Sequence, residues 1–359
     1  MSAEIYVRNA WYVAAWNTHL PVGKPAAISV LGEPIVLYRS ASGRLVALED
    51  RCVHRLAPLS LGRCEGERLR CMYHGLLYDA DGRVIEIPGQ AQIAAQARVR
   101  SYAVVERHSW IWVWMGDPSL ADATLIPSAV GLDDPAWVLG TGQLDYAAEA
   151  RLINDNLLDF SHLPYVHAAS FGAPEVFATE RPITTALPRG VRFERWVVNR
   201  QRMFSKDANA LVDNWSSYDF VVPGVLLMWN GSFPAGTARA CNFTKPDYQQ
   251  ALCDVTFTSQ AVTPLTENTA RYFFSWGPHC AHGDEARRDL LMGIASQAFG
   301  EDKVMIEAQQ RVIDRTANPQ IMPTTADKGV TLYGQIVRRL IAAEATSPTK
   351  SFTPAATPA

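Results

Sequence analysis

Between residues 52 and 74 the chain reads CVHRLAPLSLGRCEGERLRCMYH, and this stretch limits what the rest can be. One residue separates Cys52 from His54, two separate Cys71 from His74, and sixteen lie between the pairs. Two thiolates and two imidazoles suit a soft metal centre. Zinc fingers usually group thiolates in one pair and imidazoles in the other. Here each pair holds one of each, which suits a two-iron, two-sulfide centre with both thiolates on one iron and both imidazoles on the other. Each loop would then grip both irons. The plain alternatives are a zinc site or two unrelated Cys/His pairs. Tyr73, next to His74, is a candidate donor to a cluster sulfur. Imidazole ligation raises the potential above that of an all-thiolate cluster, so the centre is expected to receive electrons and pass them on.

The remaining totals narrow the class. A chain of 359 residues has room for two domains, and 48% hydrophobic residues can fill a core. A net charge of −3 gives no reason to expect nucleic acid or an anionic membrane as partner. Four of the six cysteines, Cys64, Cys241, Cys253 and Cys280, lie scattered outside the ligand spacing. That argues against a disulfide framework and for a reducing, cytoplasmic setting. Cys64 reads as a packing thiol. No basic start followed by an apolar stretch marks a secretion signal. The longest apolar run, 220–229, is short and broken by Pro223, so no membrane-spanning helix is expected.

Residues 5–115 read as β-structure. The runs 34–40 and 44–50 flank Ala41-Ser42-Gly43, and 76–88 turns at Asp81-Gly82, a strong hairpin signal. The run 101–116 turns near 106–109 and places Trp110, Trp112 and Trp114 on one face of a strand. Gly116-Asp117-Pro118 marks the boundary, with a linker to about residue 136. Residues 148–163 change to helical period, with Pro164 expected to end or kink the helix. Strands return over 178–278. A long helix fits 284–316, with an interruption at Gly300, and a last helix fits 329–344. The expected organisation is domain 1–118 around the cluster, domain 119–345, and a disordered Pro/Thr/Ala-rich tail, 346–359.

The run DNLLDFSHLPYVH, 155–167, places His162 and His167 five apart around Pro164. Two imidazoles and one carboxylate on one side of an iron leave positions open for dioxygen beside a substrate. Two neighbouring histidines alone are more often packing or surface residues, but a cluster in the same chain needs an electron acceptor. The chain shows no plant-type Cys-x4-Cys-x2-Cys run and no Gly-x-Gly-x-x-Gly between strand and helix. A separate NAD(P)H-dependent reductase, with or without a ferredoxin, is therefore expected to load the cluster.

These motifs, with VRNAWYVAAW at 7–16, APLSLG at 57–62, YHGL at 73–76, IPGQ at 87–90 and WVWMGDP at 112–118, resemble the Rieske non-haem iron aromatic oxygenases. The likeness is to the oxygenase components of the vanillate and dicamba demethylase and toluenesulfonate methyl-monooxygenase type. Leu76 stands where many members of the wider group carry Trp. The resemblance implies an α+β chain: an all-β Rieske [2Fe–2S] domain, then a helix-grip (START-like) catalytic domain with an antiparallel sheet. It implies Cys52, His54, Cys71 and His74 on the cluster, and His162, His167 and Asp302 on a mononuclear iron. Asp302 follows from Glu301-Asp302 ahead of Glu307-Ala308-Gln309, with Glu301 as the fallback; a solvated helix face is the plain alternative. Asn156 is implied near the iron. Asp159 is implied to join His74 of one subunit to His162 of the next, in a homotrimer whose cluster and iron lie too far apart within one chain.

Candidate pocket walls are Trp215, Tyr218, Leu227, Trp229, Phe274, Trp276 and Phe299, with Asn230 as a polar anchor; each has an equal claim to be ordinary core. The resemblance implies hydroxylation of a methyl or methoxy carbon of an aromatic acid. No arginine cluster is visible that would hold the acid group. Two other readings share motifs with this one: a ring cis-dihydroxylating dioxygenase and a Rieske-type electron carrier. The second iron site argues against the carrier.

Overall fold

The computed structural model describes residues 6–202, 207 and 209–346. The tail expected from residue 346 lies, from 347 on, outside the described residues. The chain divides into two compact units. One holds the chain up to Pro127 with Thr263–Glu267 and everything from Leu340; the other holds Ser128–Val262 and Asn268–Arg339.

Among its described residues the first unit contains three small antiparallel sheets. Trp110–Trp114 is the middle strand of one, between Trp11–Trp16 and Val104–Arg107. All five of its residues are buried, so both faces are covered and not only the tryptophan face. Its hairpin turns on His108 and Ser109, with φ of 56° and 63°, the two positive dihedrals a tight hairpin of this twist requires. Arg63–Glu65, Arg68–Arg70, Leu77–Tyr78 and Val84–Glu86 form the sheet that carries the second Cys/His pair. Gly82 turns its outer hairpin at φ +81°, and a Cβ there would lie 2.5 Å from the Val99 carbonyl. Val36, Tyr38, Leu48, Leu59, Leu69 and Tyr78 form the core beneath, and Cys64 packs against it as expected of a packing thiol.

The second unit is built on one seven-stranded sheet. In chain order its strands are Gly140–Tyr146, Ile183–Leu187, Gly190–Gln201, Leu211–Val221, Val225–Pro234, Cys253–Thr266 and Thr269–Pro278. Across the sheet they run first, seventh, sixth, fifth, fourth, third, second. The first strand escaped the sequence reading, while the second lies within the 178–278 span expected to be β. Gly140-Thr141-Gly142 looks like a loop, yet Gly142 sits in a strand because the Phe274 ring crosses it, 2.3 Å from where a Cβ would be. The helix Glu285–Arg315 packs on the first and seventh strands. Asp284 caps it by accepting from Arg287 N. Leu291, Ala295, Ala298, Phe299, Asp302, Ile306 and Gln310 form its buried stripe at three- and four-residue spacing. Gly300 does not interrupt it, because the buried stripe continues on both sides. No helix among the described residues is long and apolar enough to cross a membrane.

The helix before Pro164 also ends differently from expectation. It covers Ala150–Leu158 and stops at Asp159, whose carboxylate instead accepts from Ser161 N and caps a short turn, Phe160–His162. Pro164 then lies in the first turn of the next short helix, Leu163–Val166, where its missing N–H costs nothing.

One buried acid ties the strand Leu211–Val221 to its neighbour Gly190–Gln201 and to the turn after Val225–Pro234. Asp213, 1% exposed, accepts from Asn199 N at 3.1 Å, Gly236 N at 2.9 Å and Ala238 N at 3.0 Å. Asp213→Ala would leave these donors without their acceptor. It is expected to cost roughly 2–4 kcal/mol of stability, read as a lowered unfolding midpoint in denaturant titration.

Candidate metal centres and substrate cavity

Cys52 and His54 leave the strand Leu45–Glu49 in one loop; Cys71 and His74 occupy the loop between Arg68–Arg70 and Leu77–Tyr78. The two loops close alike. Leu56 N donates to the Cys52 carbonyl at 2.9 Å, and Gly75 N to the Cys71 carbonyl at 3.0 Å. Both cysteines are buried, both histidines are exposed, and the imidazole centroids stand 4.5 Å apart. Thiolates inside and imidazoles outside match a two-iron cluster with one iron on each side. Tyr73 is not the sulfur donor: it is 62% exposed, with its ring against His74. The hydroxyl on Cys52 Sγ is that of Tyr78, at 3.2 Å, and it also accepts from Val53 N at 3.0 Å. Burial pushes the Tyr78 phenol far up, so it remains a donor. The sequence signal was available, since Tyr78 lies four residues after His74, but only the fold shows its ring turning inward.

In the second unit, the Nε2 atoms of His162 and His167 lie 3.6 and 3.2 Å from the same atom, Asp302 Oδ1. Asn156 Nδ2 donates to that oxygen at 3.0 Å and lies 3.4 Å from His162 Nε2. His162 Nδ1 is 2.6 Å from the Asp159 carbonyl, and His167 Nδ1 is 2.9 Å from Glu301 Oε2. Both partners can only accept, so each Nδ1 carries a proton and each ring turns its Nε2 toward Asp302. His167 Nε2 is buried, and the polar atom it faces is Asp302 Oδ1. Burial pulls His162 toward its neutral form. For His167 burial pulls down but Asp302 and Glu301 outweigh it, and the net shift is upward. The field that favours a proton there favours a divalent cation equally. Two lone pairs and a carboxylate oxygen meeting in a buried site therefore fit an iron with His162, His167 and Asp302 as its donors.

The neighbouring acids take other places. Glu301, the fallback ligand, holds His167 and accepts from Ser170 Oγ at 2.7 Å and Gln297 Nε2 at 3.1 Å. Glu307 accepts from Ala147 N at 2.9 Å, and Gln310 from Glu149 N at 3.0 Å. Those two bonds tie the Asp302 helix to the start of the Asn156 helix. Asp159 meets His162 through its backbone carbonyl, not through its carboxylate.

A cavity of about 140 Å³ opens beside the three donors, with Phe160, Phe171, Phe177, Met228, Trp276 and Phe299 among its walls. That is close to the space that holds one benzene ring in an apolar protein interior. Asn230 and Trp276 line it, and Asn230 Oδ1 and Trp276 Nε1 are buried without partners. Trp229 and Tyr218 do not line it. Strand alternation turns Trp229 to the opposite face, where it stacks on Tyr248 with centroids 3.9 Å apart. Tyr218 is stacked between Phe193 and Phe160, behind the wall, and borders a separate cavity. Trp215 belongs to the Trp229 side, with Trp196 and Phe233. Phe274 backs Phe299, and Leu227 is not a wall residue. Phe171, Asn214, Gln260 and Arg200 were not anticipated as walls.

Residues 10–103 match the Rieske [2Fe–2S] domain, and 146–343 match the vanillate O-demethylase oxygenase C-terminal domain. The chain is 36% identical to the iron-sulfur subunit of the toluene-4-sulfonate monooxygenase system of Comamonas testosteroni, over 95% of this chain and 98% of that one. It is 33% identical to a vanillate O-demethylase oxygenase subunit of a Pseudomonas species, over 95% and 96%. The crystal structure of dicamba monooxygenase bound to 3,6-dichlorosalicylic acid superposes with a TM-score of 0.84, at 30% identity, covering 95% of this chain and 99% of that one.

Two outcomes are expected here. Asp302→Ala should lose the mononuclear iron and all turnover while keeping the cluster, whereas Glu301→Ala should retain the site with roughly 10–100-fold weaker iron binding or activity. Iron per chain and the cluster spectrum separate the two. Tyr78→Phe should keep the spectrum but lower the cluster potential on the order of 50 mV, the equivalent of one net hydrogen bond for one electron, read by redox titration.

Proposed function

Because the chain belongs to the vanillate O-demethylase-type family of Rieske oxygenases, we propose that it hydroxylates a methyl or methoxy carbon on an aromatic ring, as the oxygenase component of a multicomponent system. The observation that carries this reading is the His162–His167–Asp302 convergence beside an aromatic-walled cavity of single-ring size. When bound, the cluster relays single electrons and the mononuclear iron activates dioxygen.

The chain's own residues do the rest. The Asp159 carbonyl and Glu301 hold both imidazoles in the metal-binding tautomer. Asn156 keeps a donor on Asp302 Oδ1. The phenylalanines and Trp276 lay the ring beside the donors and exclude water. For a methoxyarene, dioxygen, two electrons and two protons give a hemiacetal and water; the hemiacetal then divides into a phenol and formaldehyde. For a methylarene the product is the benzylic alcohol.

The electrons come from a separate NAD(P)H-dependent reductase, directly or through a ferredoxin. The exposed His54 and His74 rings support electron passage through that face of the first unit. The reading includes a head-to-tail homotrimer, in which a heterologous interface brings one chain's His74 beside the next chain's Asp159. It also places the protein in the cytoplasm, in keeping with free thiols at Cys64, Cys241, Cys253 and Cys280.

The test is incubation with a reductase, NADH and a panel of methoxy- and methyl-aromatic compounds. Formaldehyde or benzylic alcohol in step with oxygen uptake is expected; a ring cis-diol as the sole product would replace the reading with dioxygenation. Inter-subunit transfer has its own test. His54→Ala and His162→Ala proteins, each inactive, should regain activity when reassembled into mixed oligomers. Verified mixed oligomers with no activity would end the trimer reading.

A further inference from the structure

The cavity has one charged wall that the reaction does not use. Arg200 lies near the end of the strand Gly190–Gln201, and it lines both the cavity and an adjoining open groove of about 740 Å³. Cavity and groove share Arg200 and Pro174, so these two residues stand at the mouth between them.

A bulge puts the side chain there. Val197 pairs with Asn214, but Arg200 pairs with Val212, so three steps on one strand match two on the other. The extra residue is accommodated at Asn199, whose φ is +49°. Paired residues share a face, and Asn214 and Ser216 line the cavity. Val212 lies two residues from Asn214 and so takes the same face, bringing its partner Arg200 with it. In unbroken register Asn199 would occupy that place and Arg200 would turn away. Bulges beside functional sites re-aim side chains in this way. The Asp213 carboxylate that accepts from Asn199 N holds the bulge in place.

The guanidinium has no hydrogen-bond or ion-pair partner among the described residues. Asp254 is the acid whose field reaches it, but that carboxylate is held by Arg287 at 2.7 Å. Burial pulls the Arg200 pKa down, with Asp254 opposing. A half-buried guanidinium left unpaired is costly unless an anion arrives. Around it, Asn214 is committed to the Gly231 carbonyl at 3.0 Å, while Asn230 Oδ1 and Trp276 Nε1 are unpartnered. The cavity itself has room for about one ring, so a substituent on that ring must reach toward the mouth.

We propose that Arg200 is the specificity residue for a negatively charged substituent, a carboxylate or sulfonate, on the aromatic substrate. The planar fork of the guanidinium takes two oxygens of either group at the mouth, while the ring carries its methyl or methoxy carbon inward to the donors. This assignment rests on the proposed oxidation for its substrate, but it is a statement about binding and is read without turnover.

The experiment measures calorimetric binding to the holoprotein of two matched pairs: 4-methoxybenzoate with 4-methoxybenzamide, and toluene-4-sulfonate with toluene-4-sulfonamide. Wild type is expected to prefer at least one anion over its amide. In Arg200→Met, which keeps the stem volume, the preferred anion should weaken on the order of 100-fold, with the amides within about threefold. Arg200→Lys should recover part of the preference, because charge remains but the fork is lost. Which anion binds tells carboxylate from sulfonate. Equal binding of anion and amide in wild type, or an anion preference that survives in Arg200→Met with unchanged iron content, overturns the assignment. Turnover without an Arg200 effect would leave the oxidation standing and remove only the anchor; an Arg200 effect on binding without oxidised product would do the reverse.

Discussion

A carboxylate oxygen buried in the apolar face of a long helix is the point on which the second unit depends. Asp302 is 5% exposed and sits in a buried stripe with Leu291, Ala295, Ala298, Phe299, Ile306 and Gln310. An ionised acid in such a place is costly without compensation. Asn156 supplies a donor to it, and the two imidazoles beside it have their outer nitrogens already committed to acceptors. That arrangement is short of positive charge and supplies the lone pairs for a divalent cation. The short-helix geometry around Pro164, the Glu307 and Gln310 anchors and the Asp159 cap all hold these donors in register.

The first unit divides its candidate metal donors by depth. Cys52 and Cys71 lie in the core beside Tyr78, while His54 and His74 lie at the surface. Burial keeps the two cysteines away from water, and Cys52 Sγ accepts from the Tyr78 hydroxyl. Exposure keeps the imidazole side within reach of an electron partner. The two loops achieve this with the same backbone closure, although their sequences differ.

The cavity shows how a sheet gives different environments to adjacent residues. Met228 and Asn230 face the metal donors, and Trp229 between them faces a tryptophan cluster on the other side. Two strands away, on Gly190–Gln201, the alternation is broken at Asn199, and that break decides on which face Arg200 lies. The polar groups left without partners, Asn230 Oδ1 and Trp276 Nε1, stand on the same cavity.

Much of this was legible in the chain itself. The mixed Cys/His pairs, the 162/167 histidines, the hairpins at Asp81-Gly82 and His108-Ser109 and the long helix all depend on local spacing, and local spacing is written in sequence. The Glu301-Asp302 choice was open in the residues, because two adjacent acids on a helix differ only in which way they face. What tertiary structure decided was direction: Asp302 turned inward and Glu301 sideways to His167, Tyr78 rather than Tyr73 on the sulfur, Trp229 away from the cavity, and Arg200 into it. The physical reason is common to all four. A side chain's face follows from helix phase and strand register, and one extra residue in a strand, or a helix ended one turn early by a cap such as Asp159, reverses it without any change in composition.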